Sequence, residues 1–112
     1  MRRPWMAAQE AVSMMELHVC NRAGVLLRAF ALGDNREVII GRDETCDVRI
    51  LAQSVSREHC AIEQEGEELF IRDLGSSGGT FLSGSKIEKI RLEDGMEIGV
   101  GPAVLKFFES GI

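Results

Sequence analysis

The sequence predicts an all-β fold, a sandwich of short strands in one domain, and three observations lead there. Nine short segments between Met15 and Phe108 are rich in Val, Ile, Leu and Phe. Between many of them lie clusters of turn formers: "GDN" at 33–35, "EGEE" at 65–68, "GSSGG" at 75–79 and "EDG" at 93–95. No long helical period interrupts the series, so a parallel α/β sheet is not indicated.

In chain order, the strand candidates are "MELHV", "VLLRAFAL", "EVII", "DVRI", "CAIEQ", "ELFIRDL", "TFL", "MEIGV" and "AVLKFF". In "ELFIRD", Leu69 and Ile71 alternate with Phe70 and Arg72, the period of a half-buried strand. Residues 1–14 read differently. Trp5, Ala8, Val12 and Met15 fall near one helical face, so this segment is expected to be a short helix or a tail preceding a domain at 15–112.

The chain has 112 residues, room for one domain with a core of its own. Its net charge of −5 argues against nucleic-acid binding, which usually needs a basic stripe. Three cysteines, Cys20, Cys46 and Cys60, show no CxxC spacing. That disfavours a disulfide framework or zinc site and points to a reducing, cytoplasmic setting. Cys60, at the head of an apolar run, reads as a small core residue. No apolar run is long enough to span a bilayer, and Gln9 and Glu10 interrupt the first segment too early for a secretory signal. No cofactor is indicated.

Three stretches carry candidate chemistry, all at strand ends. Gly41-Arg42 follows "EVII": the glycine lets the backbone turn, and the arginine fork suits a bidentate phosphate contact, although a lone arginine is usually a plain surface charge. Ser56-Arg57-Glu58-His59 precedes "CAI". A Ser–His hydrolase lacks a GxSxG elbow, and the second histidine, His18, lies too far along the chain to suggest a metal pair. His59 therefore reads as a buried residue that braces its loop, and Ser56 as a hydroxyl donor. The third stretch, "DLGSSGGTFLSG" at 73–84, holds glycines and serines whose backbone N–H groups could face an anion, or could simply make a tight turn. It is not a P-loop, because "SK" follows Gly84 where "K[ST]" is required. Together the three stretches suggest a phosphate-binding rim on a sandwich.

With these motifs in place the sequence resembles the forkhead-associated (FHA) domain family. "GR" at 41–42 matches, as do "SREH" at 56–59 for S-x-x-H and "DLGSSGGT" at 73–80 for D-x-x-S-x-N-G-T. "LEDGMEIGVG" at 92–101 resembles the closing hairpin. The resemblance implies a sandwich of about eleven strands whose loops at one end bind phosphothreonine peptides, without catalysis. Arg42 would bind the phosphate, Ser56 and Ser77 would donate to it, Arg57 would lie beside it, and Gly78 would face the peptide. Gly41, His59, Gly79 and Thr80 would brace the loops. The partner would be a phosphothreonine-containing protein or peptide, and a recognition module of this size would be expected to work within a longer chain.

Two departures bear on the grip. The family's asparagine in N-G-T is Gly78 here, and that of the "V-N-G" element is Ser83. A phosphate-independent docking or assembly domain is the alternative these departures keep open. Ser54, at a position that often reads the residue three after the phosphothreonine, carries no charge. Since glycine and asparagine both accept left-handed backbone, Gly78→Asn is expected to fold without strain and to strengthen binding.

Overall fold

The computed structural model describes residues 14–33 and 37–110. Eleven strands build it, and no helix occurs among the described residues. In chain order they are β1 Met14–Asn21, β2 Leu26–Ala31, β3 Glu37–Gly41, β4 Val48–Arg49, β5 Cys60–Glu65 and β6 Glu68–Asp73. There follow β7 Thr80–Leu82, β8 Ser85–Lys86, β9 Lys89–Arg91, β10 Glu97–Val100 and β11 Ala103–Ser110.

They form two sheets. One has the order β2-β1-β11-β10-β7-β8, the other β4-β3-β5-β6-β9. Every pairing is antiparallel except β3 with β4, which run parallel through Ile40 opposite Val48. The period of two along each strand makes the core. Leu17 and Val19 of β1, Leu105 and Phe107 of β11, and Ile98 and Val100 of β10 point inward from the first sheet. Ile40, Cys60, Ile62 and Ile71 meet them from the second. Burying one such aliphatic side chain contributes about 1.5–3 kcal/mol relative to leaving it exposed.

The all-β sandwich expectation is met, with three adjustments. Strands β8 and β9 were absent from the apolar segments: Ser85 and Lys86 are exposed, and β9 carries a single half-buried apolar residue, Ile90. The run "VLLRAFAL" is not core throughout. Its strand β2 lies at a sheet edge, with Val25, Leu26 and Leu27 about half exposed. The helical face ascribed to Trp5, Ala8, Val12 and Met15 cannot include Met15, which is buried in β1 opposite Glu109. β1 begins one residue before the boundary read from sequence; residues 1–13, and with them the rest of that expectation, lie outside the described residues, as does most of the 33–35 turn.

This topology gathers distant loops at one end. The β3–β4, β4–β5 and β6–β7 connections meet there, bringing residues 42, 56 and 77 together.

Candidate functional site

The β4–β5 loop is held against the end of β3 by backbone bonds. Arg42 N–H donates to the Ser56 carbonyl at 2.9 Å, and Asp43 N–H to the Arg57 carbonyl at 3.1 Å. Gly41 makes that approach possible, and space rather than turning is its reason. A Cβ there would stand 2.1 Å from the Arg57 carbonyl oxygen, far inside contact distance. The Cys46 thiol donates to the same carbonyl at 3.1 Å. Its partial burial, the largest cause, pushes its pKa above the ordinary thiol value, with nearby carboxylates adding to the shift.

Half-buried Arg42 donates from Nε to the Val55 carbonyl at 3.0 Å. Its two Nη groups have no protein acceptor among the described residues, and no ion pair there uses Arg42 or Arg57. Ser56 Oγ accepts the Ser77 N–H at 3.1 Å and lies 3.5 Å from Ser77 Oγ. Thus a guanidinium anchored by one nitrogen and two hydroxyls from two further loops share one end of the sandwich. Arg57 is exposed beside them.

His59 ties the loops from beneath. It is fully buried at the entry to β5. Its Nδ1 accepts the Ser56 N–H at 3.1 Å, which makes Nε2 the protonated nitrogen, and Nε2 donates to the Gly79 carbonyl at 2.8 Å. With both ring nitrogens engaged by backbone, the imidazole has no lone pair left to act as base for the Ser56 hydroxyl. Cys60, the next residue, is fully buried, and that burial pushes its thiol pKa up to about 12.

Of the two readings the sequence left open for the "GSSGG" loop, most of its amides follow the tight turn. Three of them serve the loop itself. Gly75 and Ser76 N–H both donate to Asp73 Oδ2 at 3.0 Å, and Gly79 N–H donates to Ser76 Oγ at 2.9 Å. With Ser77 N–H given to Ser56, only the Gly78 N–H of this loop has no acceptor among the described residues.

Asp73 is the hub that motif reading did not single out. Its Oδ1 also accepts the Ser76 hydroxyl at 2.6 Å and the buried Thr80 hydroxyl at 2.7 Å. Burial raises the Asp73 pKa, but the hydrogen bonds from Ser76, Thr80 and the two amides outweigh it and hold the carboxyl below its ordinary value. The signal was present: an aspartate followed by serine three residues on is a familiar side-chain-to-backbone turn pattern.

Gly78 corrects an expectation. Its φ is not in the left-handed region, unlike that of Gly79 at 88°. A Cβ on Gly78 would lie 2.8 Å from the Ser54 carbonyl oxygen, so the site has no room for a side chain unless the β4–β5 loop shifts. Ser83 does sit at positive φ, 50°, followed by Gly84 at 80°. This is the two-residue turn joining β7 to β8.

Comparison with known proteins places the chain. The family model described as the FHA domain matches residues 38–101, more than half of the chain. The chain is 39% identical over 70 residues to a protein phosphatase 1 regulatory inhibitor subunit PPP1R8 homolog from Arabidopsis thaliana, a stretch covering 58% of this chain and 19% of that protein. Its match to FhaB of Mycolicibacterium smegmatis spans 47% of that protein, so the chain represents about half or less of these relatives. Among solved structures it is similar to one from work on phosphothreonine-dependent FHA domain interactions, with TM-score 0.77, 25% identity, and coverage of 88% of this chain and 99% of the other. It is likewise similar to Mycobacterium tuberculosis EmbR in complex with a low affinity phosphopeptide, with TM-score 0.77, 26% identity, and coverage of 95% and 28%. By fold, motif order and family match, this chain belongs to the FHA domain family.

Proposed function

We propose that this domain binds a phosphothreonine-containing segment of a partner protein through Arg42, Ser56 and Ser77, with Arg57 beside them. The observation that carries this reading is the meeting of an arginine whose Nη groups have no protein acceptor among the described residues with the paired hydroxyls of Ser56 and Ser77. A phosphate offers three acceptor oxygens and about −1.5 to −2 charge, which suits a guanidinium and two hydroxyls better than a carboxylate would. The similarity to structures described with phosphothreonine-dependent interactions and with a bound phosphopeptide supports it. The role is recognition and recruitment, with loops supplying the contacts and the sandwich holding them in place.

Contact between Gly78 and Ser54 favours a weak hold on the peptide main chain, because no side chain fits at that point of the rim. Titration of matched phosphothreonine, phosphoserine and unphosphorylated peptides tests the reading. Measurable affinity for the phosphothreonine peptide alone supports it. Equal affinity for the unphosphorylated peptide would transfer the domain to phosphate-independent docking.

A further inference from the structure

The β7–β8 hairpin returns a lysine to the edge of the rim. β7 starts at Thr80, directly after the 73–79 loop, and Lys86 of β8 lies opposite Phe81. Its side chain then reaches back to the loop. A Cβ on Gly79 would meet Lys86 Cε at 3.2 Å, together with the Phe81 ring at 2.9 and 3.0 Å. The Lys86 stem therefore runs beside the Phe81 ring and ends over Gly79. The ammonium, one bond further on, stands at the Gly78–Gly79 side of the rim.

No carboxylate among the described residues holds that charge. Lys86 is exposed and takes part in no ion pair there. The other two lysines are placed differently: Lys89 is paired with Glu65, and Lys106 lies on β11 opposite Glu97. Glu88, two residues on from Lys86, is exposed and forms no ion pair with it. Asp73, under the loop, already accepts four donors. The remaining carboxylates near the rim sit on the other loops: Asp43, which accepts the Thr45 hydroxyl, exposed Glu44, and exposed Glu58. Gly78 between Ser77 and Gly79 is exposed and has no side chain, so nothing screens Lys86 from a ligand seated on Ser77.

We propose that Lys86 is a specificity-determining residue of the rim, whose ammonium takes an aspartate or glutamate side chain of the ligand close to the phosphothreonine. This rests on the reading of the rim given above. Ser77 and Gly79 are two Cα steps apart, at most about 7.6 Å, so an ammonium over Gly79 is about two to three extended residues from the phosphate. Lysine is a flexible point charge, and it selects charge more than one fixed geometry. An exposed ion pair contributes little, so the preference is about two- to fivefold in affinity.

Calorimetric titration tests this with peptides that carry one central phosphothreonine in a neutral background. A single glutamate is placed in turn at each of the three positions on either side, and glutamine at the same position is the reference. In wild type at least one position should favour glutamate about two- to fivefold, less so as salt is raised. Lys86→Ala should bring that ratio to about one, and Lys86→Arg should keep it. Lys86→Glu should invert it, with lysine preferred at the same position, which a damaged fold could not produce. Because Lys86 is exposed, the melting temperatures should match that of wild type. A ratio near one at every position in wild type overturns the proposal. So does a ratio that survives Lys86→Ala, which would pass the selection to Arg57. If wild type binds none of the phosphopeptides, the reading of the rim falls and this proposal with it, whereas binding without a glutamate preference removes this proposal alone.

Discussion

The Ser54 carbonyl oxygen lies 2.8 Å from the point a Cβ on Gly78 would occupy, locking the β4–β5 and β6–β7 loops at a spacing that admits only glycine. Gly78→Asn therefore should not strengthen the grip on a phosphopeptide. Overpacking of this kind costs about 1–3 kcal/mol, and the strain would be relieved by moving Ser54 and, with it, Val55 and Ser56. The melting temperature should fall, and phosphopeptide affinity should stay level or drop. A variant with an unchanged melting temperature and tighter binding in calorimetric titration would show that the loops separate freely.

Arg42→Ala should remove most phosphopeptide affinity and leave the fold intact. Its Nε bond to the Val55 carbonyl contributes little to a loop already held by the Arg42 and Asp43 amides. Charge-assisted hydrogen bonds are worth about 1.5–3 kcal/mol, so affinity should fall by roughly 10- to 150-fold. Lysine should recover only part of this, since it lacks the planar fork. Calorimetry decides it: wild-type affinity in Arg42→Ala would place the phosphate elsewhere.

His59→Ala should act through stability. The substitution leaves the Ser56 N–H and the Gly79 carbonyl without partners and opens a cavity at a fully buried position. Each orphaned buried group costs about 1–3 kcal/mol, so a loss of a few kcal/mol should appear in urea unfolding, together with weaker binding. Wild-type unfolding with binding abolished would mean that the imidazole touches ligand instead.

The sequence carried the sandwich because strand periodicity and glycine turns are local signals, and the gathering of Arg42, Ser56 and Ser77 at one end, above a buried His59, was legible because each sits in a recognisable short motif at a strand end. What it did not carry depends on distances between segments. Ser85–Lys86 pairs only because a two-residue turn folds it onto β7, and its exposed residues leave no apolar pattern. The tight contact of Gly78 with Ser54 joins residues 24 apart in sequence, and the inward use of the Gly75 and Ser76 amides follows from where Asp73 sits. Leu26 and Leu27 look like core residues, but an edge position leaves them in solvent.

Asp73 should contribute a distinct acid limb to stability. Its folded pKa lies below the ordinary aspartate value of about 3.9, so the stability it contributes is complete above that value. It is lost as pH falls through the lowered folded pKa, because protonation then removes an acceptor from the Ser76 and Thr80 hydroxyls and the Gly75 and Ser76 amides. Asp73→Asn should lose about 2–4 kcal/mol at neutral pH, since an amide has one acceptor oxygen for four donors. It should also flatten the fall in urea midpoint on the acid side. A mutant with the wild-type acid limb would assign that limb to other carboxylates.

Ser83→Asn should stabilise the protein. Ser83 and Gly84 both have positive φ, 50° and 80°, between Leu82 and Ser85, which pair across the β7–β8 hairpin. That is the geometry of a type I′ turn, for which Asn-Gly is the favoured pair because asparagine tolerates left-handed backbone better than serine. Left-handed backbone costs an ordinary residue about 1–2 kcal/mol, and recovering part of it should give about 0.5–1 kcal/mol. For a domain of this size that raises the melting temperature by a few degrees. Ser83 is exposed and its side chain makes no hydrogen bond among the described residues, so the gain should come from the backbone. Ser83→Ala supplies the contrast: with no side-chain amide it should lower the melting temperature or leave it unchanged. If Ser83→Asn and Ser83→Ala melted alike, the positive φ at this turn would carry no strain.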